Sequence, residues 1–297
     1  MKPVSCQDHA GQATPDGVGL RYSISQLTTM RSSFDEDVEQ AVEACAPAIG
    51  VWRRKVDEYG EQQAAERIAA AELAVSSVSF VGGFTGSAGM TYREAMADAY
   101  STLFTAASLR AECLVVCPGS RGRYTARHER RLIIHAVREL AIAAEEFNLT
   151  LALQPMQPQF SHRWTGLHTL DSALEMVDEV DRPNVGMVLD TFHLGHDREL
   201  VERIPEFADR VAIVQLCDAV AHPKSVYDRC LPGEGVLPLR EVVNTLLEND
   251  YRGCFDLQIW SEALWRQPAD VTIRETRESL LQLCSTLPDS TSQTVVG

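Results

Sequence analysis

Val185-Gly186-Met187-Val188-Leu189-Asp190-Thr191-Phe192-His193 sets five uncharged residues ahead of an aspartate and, three positions on, a histidine. A short unbroken apolar run stopped by a polar residue suits a strand covered on both faces, as in a parallel sheet. The pattern recurs outward in both directions. Val18 to Ile24, Ile49 to Trp52, Val75 to Val81, Cys113 to Cys117 and Leu149 to Leu153 precede it, and Val211 to Leu216 and Cys254 to Ile259 follow. The segments between them carry helical signals. Ser33 with Glu36, and Thr91 with Glu94, fit the capping box that opens a helix. Leu132, Ile133, Ala136, Val137, Leu140, Ala141 and Ala144 form a stripe that can lie on a sheet, and similar stripes run from Leu170 to Val177, Leu239 to Leu247 and Ile273 to Leu283.

Eight strands alternating with helices over roughly 250 residues predict an α/β fold of the (β/α)8 TIM barrel type. The rival, a doubly wound open sheet, lacks a nucleotide signature: Gly82-Gly83-Phe84-Thr85-Gly86 follows a strand but has neither the lysine nor the spacing of a phosphate loop. No linker or charge block divides the 297 residues, so residues 1–297 are expected to form one domain, with about 1–15 and 288–297 as flexible ends.

Hydrophobic residues at 45% supply a large core, and 27 Lys+Arg against 42 Asp+Glu leave a net charge of −15. That field repels phosphate backbones and anionic lipids, which argues against nucleic acid and membrane partners. The eight cysteines show no zinc spacing and are expected to be buried, reduced thiols of a cytoplasmic protein. A homo-oligomer stays open.

In a TIM barrel the chemistry sits where strands end. Five successive motifs stand out, four at strand ends and one in the stretch between the last two: Leu151-Ala152-Leu153-Gln154-Pro155-Met156, Gly186 through His193, Val214-Gln215-Leu216-Cys217-Asp218, Arg229-Cys230-Leu231-Pro232-Gly233-Glu234-Gly235, and Phe255-Asp256-Leu257-Gln258-Ile259. In this order they resemble the xylose isomerase-like barrel family of sugar and sugar phosphate isomerases and epimerases. The resemblance implies a carbohydrate-like substrate at the C-terminal mouth. It also implies a divalent metal held by glutamate, aspartate, histidine and glutamate on four strands. Asp190 matches the aspartate, whereas the other three positions read Gln154, Gln215 and Gln258.

Glutamine is neutral and cannot act as a general base near neutral pH. The metal expectation is therefore Asp190 with Gln154, Gln215 and Gln258 as weak ligands, giving a loosely held Mn²⁺, Mg²⁺, Co²⁺ or Zn²⁺ or none. Otherwise the glutamines are expected to bond to one another, to Asp190 or to water. The combined change Gln154→Glu, Gln215→His and Gln258→Glu is expected to restore the ion. A catalytic base must then come from His193 or from Glu262, which shares a face with Asp256, Gln258 and Trp260 if strand alternation persists; Asp256 itself lies deeper. Gln154, Gln215, Gln258 and Arg229 are expected to bind substrate, and Trp52 and Trp260 to stack on it. Trp164 and Trp265 read as packing residues. His193 and Arg229, beyond strand ends, are expected to be replaceable within about 0.5 kcal/mol of stability.

Two functions compete. One is an isomerase or epimerase of sugars or related keto compounds; the other is a non-catalytic barrel that binds a carbohydrate-like ligand or serves as a partner subunit. An abasic-site endonuclease of the same fold would need several metal histidines, and of the eight histidines only His193 stands in a suitable place.

Overall fold

The structure, a computed structural model, describes residues 20–122 and 124–285. The expected flexible ends, the start of the first apolar run and Cys6 fall outside these residues. Eight strands follow the predicted runs: β1 (Tyr22–Ser25), β2 (Ala48–Trp52), β3 (Ala74–Gly82), β4 (Cys113–Cys117), β5 (Thr150–Leu153), β6 (Val185–Asp190), β7 (Val211–Leu216) and, last, β10 (Phe255–Leu257). They close into an all-parallel barrel in the order β1-β10-β7-β6-β5-β4-β3-β2. β8 (Asp218–Ala219) and β9 (Arg229–Cys230) form an antiparallel ribbon above β7 that the apolar pattern does not show.

Both capping boxes form. Ser33 opens the helix Phe34–Glu43 and Thr91 opens Tyr92–Ser108, each hydroxyl accepting from the backbone N–H three residues on. The stripe from Ile133 to Ala144 is buried along the helix Ala126–Glu145. Helices and the outward strand residues, such as Leu151, Leu153, Met187, Leu189, Val214 and Leu216, share one large core. Inside the barrel, Cys113, Val115, Ala152, Val188 and Ile213 make a separate small cluster. Because side chains alternate along a strand, residues two positions on from Ala152, Val188 and Ile213 must also point inward, at the C-terminal end. Those residues are Gln154, Asp190 and Gln215.

Asp256 fills the barrel near β1, its Oδ1 accepting from Ser23 Oγ at 2.6 Å, and a Cβ on Gly50 would meet that oxygen at 2.5 Å. Gly50 is the residue that leaves the carboxylate room. Burial pushes the Asp256 carboxyl up to about 7 against the pull of its serine bonds. Elsewhere Lys55 Nζ and Asp37 Oδ2 form a buried pair at 2.5 Å, with Thr29 bonded to both. The cysteines among the described residues are unpaired thiols; Cys45 is exposed, which corrects the expectation of uniform burial. Among the described residues no helix is long and apolar enough to cross a membrane.

Candidate functional site

The C-terminal ends of the strands surround a cavity of about 640 Å³. Its floor is polar and its wall aromatic. Gln154, Asp190, His193, Gln215, Arg229 and Gln258 line the floor, and none is more than 5% exposed. Phe80 stands in the wall between Trp164 and Trp260, with ring centroids at 5.5 and 6.2 Å.

Asp190 ends β6, and its Oδ1 accepts from the Phe192 N–H at 2.9 Å, which turns the chain into a single helical turn carrying His193. Thr191 fixes that turn to the end of β7: its hydroxyl donates to the Cys217 carbonyl at 2.6 Å and accepts from the Cys217 N–H. Arg229 enters from the β8–β9 ribbon. The loop after it is held by Asp218, whose carboxylate accepts from the N–H groups of Ala219, Gly233 and Leu237. A Cβ on Gly235 would collide with that carboxylate and with the Ala219 carbonyl, both at 2.3 Å, so the glycine closes the loop where a larger residue cannot.

The Arg229 guanidinium lies flat against Asp190. Nη1 donates to Oδ1 at 3.2 Å and Nη2 to Oδ2 at 3.1 Å, the bidentate fork that suits arginine to carboxylates. Its faces are covered too, with the Phe192 and Trp260 rings at 4.5 and 5.4 Å. Burial opposes the arginine charge most strongly, but Asp190 and Cys217 together more than offset this and raise the arginine pKa. His193 has no such compensation: burial, assisted by Arg229, pushes its pKa down to about 4 despite the pull of Asp190. The imidazole is therefore neutral near pH 7, and its 3.7 Å approach to Asp190 is not an ion pair.

These contacts correct the expectation that His193 and Arg229 are loosely held loop residues. They are packed and bonded at the centre of the floor. The glutamines also differ from expectation. Gln154 Nε2 donates to Asp190 Oδ2 at 3.2 Å, but both side-chain polar atoms of Gln215 and the Oε1 atoms of Gln154 and Gln258 have no partner in the protein. Nor do Arg229 Nε and Trp260 Nε1.

Two predicted site residues stand apart. Trp52 ends β2 against Gln26 and Arg54, outside the cavity lining. Glu262 is an exposed residue paired with Arg266 at 3.0 Å. Strand alternation cannot carry it to the mouth because β10 stops at Leu257 and a turn begins at Ser261. Trp265 packs as expected, its indole N–H donating to the Leu27 carbonyl. Phe80 and Trp164 belong to the site but were not assigned to it. Phe80 is the last residue but one of the run Val75 to Val81 ahead of Gly82-Gly83, a strand-end signal that could have marked it; Trp164 lies in a loop with no periodicity to read.

The metal implied by the resemblance does not fit these residues. Three of the four donors are neutral amides, and both oxygens of the one carboxylate already accept from Arg229. Among the described residues no three His, Cys, Asp or Glu side chains are grouped to hold an ion.

The chain belongs to the xylose isomerase-like TIM barrel family, whose sequence profile matches residues 38–283. Within that class it is a sugar isomerase/epimerase-like barrel. It is 23% identical over 201 residues to an inosose isomerase of Halalkalibacterium halodurans, covering 65% of this chain and 69% of that one. A D-psicose 3-epimerase of Enterocloster bolteae is 28% identical over 128 residues, 42% of this chain and 38% of its own. In three dimensions the barrel resembles the IOLI protein with a bound zinc atom, with a TM-score of 0.78 at 18% identity over 90% of this chain and 98% of that one.

Proposed function

We propose that the barrel mouth binds a neutral, polyhydroxylated ligand, a ketose or a keto-cyclitol of the kind named in its relatives, and that it does not isomerise it. One observation carries this reading: six buried polar atoms of Gln154, Gln215, Gln258, Arg229 and Trp260, all residues of the one cavity lining, have no partner in the protein. Leaving a buried donor or acceptor unpaired costs about 1–3 kcal/mol, and a ring of hydroxyls, each donor and acceptor at once, satisfies such a set. Phe80, Trp164 and Trp260 offer apolar faces to the C–H side of a sugar ring.

Moving a proton at the carbon beside a carbonyl needs a base within reach of that carbon. Among the described residues the only carboxylate lining the cavity, Asp190, is committed to Arg229. The amides that replace the expected glutamates have no such capacity. His193 also lines the cavity, but burial lowers its pKa to about 4, so its neutral imidazole is a weak base. Binding therefore persists where the proton transfer lacks a strong base.

The test is a thermal-shift and tryptophan-fluorescence titration with inosose, D-psicose and D-xylulose, followed by NMR of each ketone in D₂O with the protein. Neutral polyols should raise Tm saturably by mass action and take up no deuterium. If none of them changes either signal at about 10 mM, corresponding to a Kd too weak for a built site, the binding reading is wrong. Deuterium entering at the carbon beside the carbonyl would overturn the non-catalytic part and assign the base to His193.

A further inference from the structure

We propose that Arg229 is the resident cation of this barrel mouth, standing where the resemblance places a divalent metal, and that it is the lock that keeps a metal out. The inference rests on the geometry around Asp190 and is independent of which ligand the cavity binds.

Each Asp190 oxygen already accepts two hydrogen bonds. Oδ1 accepts from Phe192 N at 2.9 Å and Arg229 Nη1 at 3.2 Å; Oδ2 accepts from Arg229 Nη2 at 3.1 Å and Gln154 Nε2 at 3.2 Å. A hard cation sits roughly 2.0–2.6 Å from its oxygen ligands. It could reach Asp190 only by expelling the guanidinium from between Phe192 and Trp260, where it also approaches the Gln258 carbonyl at 3.4 Å. Gln154 shows the same adaptation, since it offers Asp190 an N–H and not a chelating oxygen. A divalent ion must be assembled from solution with every folding event, whereas a covalently attached guanidinium arrives with the chain. Restoring the three expected ligands is therefore not sufficient to restore the metal. The sequence alone suggested that it was; the arginine has to go as well.

Four proteins test this: the natural chain, Arg229→Gln, the triple variant Gln154→Glu/Gln215→His/Gln258→Glu, and the triple variant combined with Arg229→Gln. Each is dialysed against chelator and titrated with MnCl₂ and CoCl₂ by calorimetry, with the visible absorption of Co²⁺ as a direct readout of the ligand shell. The natural chain should take up no ion stoichiometrically. The triple variant should bind Mn²⁺ at least about 10-fold more weakly than the quadruple one, a difference of about 1.4 kcal/mol. Equal affinity in triple and quadruple variants would overturn the proposal, as would a stoichiometric ion in the natural chain. If the quadruple variant does not fold, the triple variant decides: a stoichiometric, chelator-resistant ion with Arg229 in place refutes the lock, and refusal of the ion supports it.

Discussion

Replacing Arg229 by methionine keeps the bulk of the side chain against Phe192 and removes only the charge and its donors. The structure sets the size of the effect. Asp190 is fully buried, and the substitution strips the bidentate partner from it, leaving the Phe192 N–H and the Gln154 amide as its remaining donors. Breaking a buried pair from one side costs about 3–5 kcal/mol, because the surviving charge stays in a medium that cannot solvate it. Asp190→Asn should cost a similar amount for the mirrored reason, leaving a buried guanidinium without its carboxylate. The double change removes both charges and should cost less than the two singles together, with a coupling of about 2 kcal/mol or more. Urea unfolding at 25 °C followed by tryptophan fluorescence measures all four corners, provided the slope against denaturant stays constant. A loss within about 0.5 kcal/mol for Arg229→Met, the expectation for a surface loop residue, would refute the view that this pair organises the floor. Additive singles would do so as well.

Two further perturbations follow from buried charge. Folding raises the Asp256 carboxyl to about 7, so its contribution to stability is present at low pH and lost as pH rises from about 4 to 7. His193, lowered to about 4, works in the opposite sense, adding stability as pH rises from about 4 to 6.5. Asp256→Asn should therefore unmask the histidine slope, its stability relative to the natural chain growing by a few kcal/mol between pH 4 and 8; parallel pH profiles would contradict this. Lys55→Met leaves Asp37 buried without its partner and should cost about 3–5 kcal/mol at pH 8. The cost should shrink at pH 5, because burial already raises Asp37 to about 6 with the lysine present, and an uncharged carboxyl tolerates the apolar surroundings. A cost that does not change with pH would show that Asp37 remains ionised.

The barrel was legible because each of its strands is covered on both faces and leaves a continuous apolar run, and because Ser33 and Thr91 announce the helices that follow. The positions of Gln154, Asp190 and Gln215 were legible from the same rule, the first two standing where their runs stop and Gln215 one residue before the end of its own. What the sequence withheld has specific causes. Glu262 was placed by extending the alternation of a strand that ends five residues earlier, at Leu257. Arg229 lies buried in the cavity lining, but its partner was not readable, since the ribbon that aims it is two residues long on each side and carries no periodicity. Pairing between residues 39 apart in the chain is a property of the closed barrel, and local patterning holds no trace of it.

That pairing also explains why the substitutions at the mouth belong together. With glutamates at 154 and 258, the floor would hold three carboxylates, Asp190 among them, and would need a strong cation to be stable at all. With glutamines there, one guanidinium balances one carboxylate, His193 is neutral, and the floor as a whole carries no net charge. The floor itself gives no electrostatic reward to a phosphate or a free carboxylate, the exposed Lys224 being a cation elsewhere in the cavity lining, while its unpartnered amide atoms reward hydroxyls. On the proposed reading, the three glutamines that stand where the resemblance places metal ligands also favour a neutral ligand. A pocket that had simply decayed would instead be expected to leave Asp190 unpaired, and a buried unpaired carboxylate is what the Arg229 fork prevents.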